Sequence, residues 1–240
     1  MNLGQMQAEL GYLIKDNGTL ASWLVGWIND AILSVATDYD LPPLAMVTPY
    51  EIEVDTTDWL WSLPDSFHKN LFMAKRVNSD GSAYRIHNIY KNYRYLLSKD
   101  HTITGDNVRE LAVIPQGLDF MLGVHPLAED ILNLWFYQKP AALVDASDVC
   151  DCIPFNFIPQ VIYPKIIIKN YQFIVDQVTD FAFTAGPLQY WQGELAKGLF
   201  GARGQGTGLL GYFQINFHPP RRTGGRDPIG GKPYHYGSGM

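Results

Sequence analysis

The final 40 residues of this 240-residue chain hold half of its glycines. Residues 201–240 contain 11 of the 22 glycines together with four prolines, so this segment is not expected to bury a core of its own. It also carries several aromatic residues, for which a plain flexible linker has no use. A glycine-rich segment with apolar anchors is typical of a chain that orders against another surface. The sequence therefore predicts an extended C-terminal arm that docks on a neighbouring molecule.

Charge is divided unevenly between this arm and the rest of the chain. The formal net charge is −6, but residues 201–240 carry five basic residues and one acid, which leaves −10 for residues 1–200. Nucleic-acid binding usually requires a basic face, so the acidic body argues against it. Arg221 and Arg222 in the arm are predicted to contact an acidic protein surface rather than DNA phosphates.

Two cysteines, Cys150 and Cys152, flank a single aspartate, and this spacing rarely permits an unstrained disulfide. We therefore expect free thiols and folding in a reducing compartment. His101 or His125 could complete a zinc site only with a second ligand pair at matching spacing, which the sequence lacks. No metal, cofactor, secretory signal or membrane-spanning segment is expected.

Recognisable catalytic motifs are missing from the sequence. No Gly-x-Ser-x-Gly occurs, the six histidines are scattered, and residues 201–208 lack the lysine of a phosphate-binding loop. Acid pairs such as Glu51 with Glu53, or Glu129 with Asp130, meet the minimal requirement of a glycosidase for two carboxylates. Such pairs are common in an acidic protein, and charged strand faces in water explain them better. The sequence predicts a protein that is not an enzyme.

The first 40 residues predict a helical hairpin. Apolar residues recur at helical spacing over residues 3–14, with Asn2 as the N-cap, and again over residues 20–35. Asn17-Gly18 separates the two stripes, and Pro42-Pro43 follows the second.

The centre of the chain predicts short strands. Asp80-Gly81 favours a hairpin between two of them, and residues 90–99 are expected to form a short helix. Alternating or apolar runs bounded by turn residues predict strands at residues 50–55, 59–63, 71–77, 83–89, 108–114, 120–124 and 131–137.

Residues 159–183 are apolar but ambiguous in type. Ile166-Ile167-Ile168 favours a strand by propensity, whereas the length of the run and Pro164, which a helix tolerates in its first turn, favour a helix. We predict a helix here and a last one over residues 188–199. The fold class is then α+β. It comprises a helical bundle (residues 1–45 and 141–200), an antiparallel β insertion (46–140) and an extended Gly/Pro-rich C-terminal arm (201–240).

Four motifs follow one another in a fixed order within residues 1–185. They are Trp27-Ile28-Asn29-Asp30-Ala31, Trp61-Ser62-Leu63-Pro64-Asp65-Ser66-Phe67, Trp135-Phe136-Tyr137-Gln138-Lys139-Pro140 and, after the acidic stretch 145–151, Cys152-Ile153-Pro154. In this order the chain resembles the head-to-tail adaptor proteins (head–tail connectors) of tailed bacteriophages, of the tail-accessory-factor type. The glycine-rich arm has no fixed pattern in that family, so its partner cannot be carried over.

The resemblance implies a structural protein of the virion neck that is assembled in the host cytoplasm. Such adaptors form a homo-oligomeric ring, commonly a dodecamer of twelve copies, beneath the portal protein. The ring extends the DNA channel for ejection, and a tail tube or nozzle protein docks below it. An acidic body suits such a channel, because like charge prevents tight binding of the genomic DNA that passes through.

Eight residues are expected to contact partners. A closed ring requires apolar faces on each subunit, and the arm requires anchors on the portal or on an adjacent subunit. The eight residues are Trp23 and Trp27 on the second helix, and Tyr212, Phe213, Ile215, Phe217, Arg221 and Arg222 in the arm.

Two functions remain as alternatives to the adaptor. They are a tail-associated peptidoglycan hydrolase and a generic oligomeric interaction module.

Overall fold

Helices lie towards both ends of the chain, and strands lie between them. The helices are α1 (Leu3–Ile14), α2 (Ala21–Asp38), α3 (Arg94–Leu97), α4 (Tyr163–Gln177), α5 (Leu188–Phe200) and α6 (Leu209–Phe217). The computed structural model describes residues 1–54, 60–77, 81–86, 88–90, 94–97, 104–105, 110–114, 119–122, 125–126, 130–178, 181, 186–202 and 206–217.

Most of the described strands belong to two four-stranded sheets. One has the order β1-β10-β3-β4 and is antiparallel throughout; the other has the order β2-β8-β7-β5, and a short pair joins β6 to β9. The strands are β1 (Tyr50–Val54), β2 (Leu60–Ser62), β3 (Phe67–Val77), β4 (Ala83–Arg85), β5 (Asn88–Tyr90), β6 (Thr104–Gly105), β7 (Glu110–Ile114), β8 (Asp119–Leu122), β9 (His125–Pro126) and β10 (Asp130–Gln138). The predicted α+β class is confirmed.

Helix α1 begins with the predicted cap. The Asn2 side chain accepts a hydrogen bond from the Gln5 backbone N–H at 2.8 Å, and the Gln5 side chain accepts one from the Asn2 N–H at 3.0 Å. This reciprocal capping box satisfies two N–H groups that the first helical turn leaves without partners. The helix then buries Leu3, Met6, Leu10 and Ile14, which is the apolar stripe seen in the sequence.

Residues 163–177 are helical, as predicted, although their β-branched residues favour a strand. Tyr163, Ile166, Ile167 and Ile174 are all buried, and their spacing places them on one face of α4. Tertiary burial of this face therefore outweighs the local strand propensity of three consecutive isoleucines.

Helices α2 and α4 pack antiparallel. The Asp38 carboxylate of α2 pairs with Lys165 of α4 at 2.6 Å, and Asp30 pairs with Lys169 at 2.9 Å. From the first ion pair to the second, the position in α2 moves towards the N-terminus of the chain and the position in α4 moves towards the C-terminus. The two helices therefore run in opposite directions. Both ion pairs are largely exposed, so they orient the helices more than they stabilise them.

The predicted strand at residues 83–89 is two strands. β4 pairs with β3 in the first sheet, whereas β5 pairs with β7 in the second, and Ile86 is buried between them. The β5–β7 pair is parallel, which departs from the all-antiparallel expectation. Residues 91–109 separate these strands, and a connection of that length permits the crossover that a parallel pair requires. Residues 78–80 of the predicted turn lie outside the described residues.

Lysine 69 joins the strands to the helices. Its Nζ donates to the carbonyl oxygens of Thr37 and Tyr39 at 3.0 and 2.8 Å, and it lies 3.2 Å from the Asp40 carboxylate. Carbonyls at a helix C-terminus carry partial negative charge, so a cation is favourable there. The start of β3 is thereby attached to the end of α2.

Two hydrophobic cores are distinct among the described residues. One lies between the helices and includes Ile28, Ile167 and Phe213; the other lies in the β region and includes Leu111 and Phe136. The sequence predicts a division between the helical bundle and the β insertion near residues 45 and 140, and the two cores lie on different sides of it. The domain boundaries themselves stay a prediction.

The expected extended arm does not begin at residue 201, because residues 209–217 form helix α6. Gly201, with a φ of 86°, and Gly208 approach each other so closely that a side chain on either would overlap the backbone of the loop. These glycines therefore permit a tight turn that folds α6 back onto α5, rather than keeping the chain extended.

Candidate interaction surface

An exposed aromatic patch lies where α2 and α4 meet, and we define it as Trp23, Trp27 and Phe173. The ring of Phe173 makes edge-to-face contacts with both tryptophans, at centroid distances of 5.6 Å to Trp23 and 5.8 Å to Trp27. Trp27 packs partly against the helical core, but Trp23 is 53% exposed and Phe173 39% exposed. The patch is therefore held rigidly from within and is accessible from outside.

Phe173 was not predicted as a member of this surface. The apolar run at residues 159–183 marks it only as one more apolar residue, and its partners lie about 150 positions earlier in the chain. The spacing of the buried stripe on α4 could have indicated it, since Phe173 lies beside that stripe rather than within it. The Asp30–Lys169 ion pair lies on the same two helices, and charged edges around an apolar centre are typical of protein interfaces.

A second concave surface, which we call the α1/α5 groove, lies between α1, the start of α4 and α5. Its volume is about 550 Å³, and aromatic rings supply much of its lining. Tyr12 is 88% exposed, and Tyr190 stacks edge-on against the buried Trp191 at 5.2 Å. The Trp191 Nε1 atom is buried without a hydrogen-bond acceptor among the described residues.

Two glutamates line the same groove. The hydroxyl of Tyr163 donates to the Glu9 Oε2 atom at 3.1 Å, and burial together with the charge of Glu9 raises the pKa of Tyr163. The hydroxyl therefore keeps its proton and remains a donor. Glu194 accepts a hydrogen bond from Lys197 at 2.6 Å. The groove thus combines aromatic walls with acidic groups.

Asparagine 29, from the Trp27–Ala31 motif, binds the returning chain rather than a partner. Its Nδ2 donates to the Leu143 carbonyl at 2.8 Å, and its Oδ1 accepts from the Leu143 N–H at 2.8 Å. Both polar groups of the side chain are used in one paired contact across 114 positions. This contact closes the helical bundle after the β region.

Replacing Asn29 with alanine is expected to lower the free energy of unfolding by about 2 kcal/mol, because two part-buried hydrogen bonds are lost. Urea titration followed by circular dichroism measures the change. Asp30→Ala is the matched control: it removes only an exposed ion pair on the next residue and should cost below about 0.5 kcal/mol. Equal effects of the two substitutions would contradict a structural role for Asn29.

A family model described as "SU10 adaptor protein" matches residues 1–208. The chain belongs to the SU10 adaptor protein family. Membership identifies a phage adaptor, a structural component of the virion that interacts with other phage head and tail proteins. No curated protein matches the chain. The family match ends where the loop before α6 ends, so α6 and the residues beyond it lie outside the matched segment.

In this adaptor, Tyr212 and Phe213 lie in helix α6 and pack on their own chain, and their expected role in contacts with a partner stays a prediction. Phe213 is only 5% exposed, and the Tyr212 ring lies 5.5 Å from the ring of Phe157. Phe213 belongs to the helical core, and Tyr212 is partly buried against it. Ile215 and Phe217 lie in α6, but their side chains are outside the described residues, as are Arg221 and Arg222 altogether.

The two cysteines of the adaptor are buried in the loop between β10 and α4. Their Sγ atoms are 3.7 Å apart and both thiols are free. The hydrogen bond from Cys152 lowers the pKa of the Cys150 thiol, and the same contact together with burial raises the pKa of Cys152. Among the described residues no group of three metal-ligating side chains occurs, and His101 lies outside them.

Glu51 and Glu53 lie on the exposed face of β1, opposite Asn133 and Ile131 of β10. This is the position expected of charged side chains on a solvated strand face. Glu129 lies outside the described residues. None of the helices that the structure describes is long and apolar enough to span a membrane.

Proposed function

We propose that this adaptor forms a ring that joins the portal to the tail and extends the DNA channel. The observation that supports this most directly is the exposed aromatic patch on α2 and α4. Contiguous exposed apolar surface of this kind is typical of sites that bind another protein. Aromatic residues of this kind are the usual anchors of protein interfaces.

A ring requires two different surfaces on each subunit, since a head-to-tail contact repeats around the closed circle. The aromatic patch supplies one of them. A candidate for the other is the loop between β10 and α4, in which Val144, Val149 and Phe155 are all exposed. The occupant of the aromatic patch is then this loop on a second copy of the chain.

The remaining details follow the resemblance to head-to-tail adaptors. We infer twelve copies beneath the portal in the neck, with a tail tube or nozzle protein below. The net charge of −10 on residues 1–200 suits the wall of a DNA channel, because it repels phosphates and keeps the passing DNA from binding. Subunits would assemble in the host cytoplasm before the tail is attached.

Replacing Trp23 with glutamate is expected to prevent ring formation while the subunit stays folded. The side chain is exposed, so its loss costs the monomer little, whereas a charge at the centre of an aromatic interface costs about 2 kcal/mol or more and weakens each contact at least about 30-fold. Assembly is measured with purified portal by negative-stain electron microscopy and analytical ultracentrifugation, and folding by circular dichroism.

Tyr84→Glu provides the matched control, because Tyr84 is equally exposed but lies on β4, away from the helices. Normal rings with Tyr84→Glu and none with Trp23→Glu support the proposal. Normal rings with both variants would show that the patch is not a subunit contact. A failure of the unmodified protein to associate with portals would overturn the proposed joining of portal to tail.

A further inference from the structure

The α1/α5 groove has the chemistry of a site for a proline-rich, basic segment. Tyr12 and Tyr190 present exposed aromatic rings, Pro159 adds exposed apolar surface, and the largely buried Trp191 and Pro164 line the groove beneath them. Aromatic-lined grooves of this kind bind polyproline II segments, which pay little entropy on binding because proline already restricts the backbone. Tyr12 is 88% exposed, so its ring is free to cover a bound segment.

The carboxylates in the groove add a preference for charge. Glu9 and Glu194 both line it. Among the described residues, Glu9 accepts a hydrogen bond from the Tyr163 hydroxyl, and Glu194 accepts one from Lys197. A carboxylate can accept several hydrogen bonds, and an arginine guanidinium donates two in parallel to one carboxylate. A segment that carries arginine beside proline therefore fits the groove in both shape and charge.

The chain contains such a segment directly after α6. Residues 218–240 carry four basic side chains and one acid, and they begin with His218-Pro219-Pro220-Arg221-Arg222. The sign of this charge is opposite to that of Glu9 and Glu194. Consecutive prolines favour the polyproline II conformation that aromatic grooves recognise.

Helix α6 packs beside the chain segment that leads into the groove. The Tyr212 ring lies 5.5 Å from Phe157, and the groove residues Pro159 and Gln160 follow Phe157 in the chain by two and three positions. If the chain from Phe217 to Arg222 is extended, it spans up to about 17 Å. This reach is comparable with the length of a short peptide bound in a groove. A connection within one chain also raises the effective concentration of the segment at the groove.

We propose that the α1/α5 groove of the free subunit binds the Pro219–Arg222 segment of the same chain. The two prolines lie against the exposed rings of Tyr12 and Tyr190, and the arginines pair with Glu9 and Glu194. The arm is then held on its own subunit until another surface competes for it. This binding does not depend on the formation of a ring.

Site-specific photo-crosslinking tests the proposal on the full chain. A photoreactive phenylalanine analogue (p-benzoylphenylalanine) replaces Tyr12, which is exposed enough to tolerate it, and crosslinked peptides from dilute protein are mapped by mass spectrometry. We expect crosslinks to residues 218–226 within single chains. The same analogue at Tyr84 on β4 is the control and should not crosslink to the arm.

The double variant R221E/R222E should lower the crosslink yield about tenfold, whereas R221K/R222K should lower it less, since lysine retains the charge but not the paired donors of the guanidinium. Both variants lie outside the described core, so the fold is not at risk. Three results would overturn the proposal: no crosslink to the arm from position 12, a yield insensitive to R221E/R222E, or crosslinks that join two chains. The last would assign the groove to the arm of a second copy.

Discussion

Replacing Gly198 with alanine is expected to destabilise the protein by about 3 kcal/mol. Gly198 lies in α5 against the backbone of Gln160, and an added methyl group would overlap the Gln160 carbonyl oxygen and lie 2.7 Å from its carbon. Backbone atoms cannot rotate away as a side-chain end can, so α5 would have to move from the turn before α4. Alanine favours a helix over glycine by only about 1 kcal/mol, which is too little to offset this overlap. Urea unfolding followed at 222 nm measures the loss.

Gly193→Ala is the matched control, because it places the same methyl group on the same helix. Gly193 is exposed and has no atom within 4 Å of the added carbon, so helix propensity alone decides the outcome. We expect a stabilisation of about 0.5 to 1 kcal/mol. Opposite signs at the two positions support the close packing of α5. A stabilised Gly198→Ala variant would show that α5 does not approach Gln160 so closely.

The second large effect is expected at Phe136, in the core of the β region. Its side chain is fully buried, and its ring contacts Phe67 of β3 and Tyr50 of β1 at centroid distances of 5.1 and 6.4 Å. Phe136→Ala removes the ring that joins three strands and leaves a cavity, which costs about 3 to 5 kcal/mol. Thermal unfolding by differential scanning calorimetry measures the change.

Phe72→Ala is the comparison within the same sheet. Phe72 is 42% exposed and contacts Tyr137 at 5.6 Å, so its loss should cost about 1 kcal/mol or less. Because the two cores share few buried residues, Phe136→Ala should also separate the unfolding of the β region from that of the helices. A single unchanged transition with Phe136→Ala would contradict both its place in the core and the predicted domain division.

Local patterns were enough to predict most helices and several strands. In α1, α2, α4 and α5 the apolar residues repeat at helical spacing, and that spacing reports which face will be buried wherever the helix packs. The Asn2 cap is likewise a contact between residues three positions apart. Such features depend on near neighbours in the chain, so a sequence carries them in full.

Long-range contacts were beyond the reach of these patterns. Nothing in residues 83–89 indicates that one run divides between two sheets, because that outcome depends on the partners β3 and β7. Phe173 joins the aromatic patch only when α2 and α4 lie antiparallel. The α1/α5 groove arises only when α1 packs beside α4 and α5, which lie far from it in the chain.

The glycines after residue 200 show what a local sequence pattern predicts and what depends on long-range contacts. Their number was interpreted as the mark of a segment too loose to pack, yet Gly201 and Gly208 form the tight turn that places α6 on the helical core. Glycine lacks a Cβ, which frees an unpacked chain and equally permits two backbones to approach closely. The sequence by itself determined the acidic body, the helical stripes and the order of motifs that marks an adaptor. Only the tertiary structure decided which glycines pack and which aromatic rings stay exposed, because both depend on neighbours that are distant in the chain.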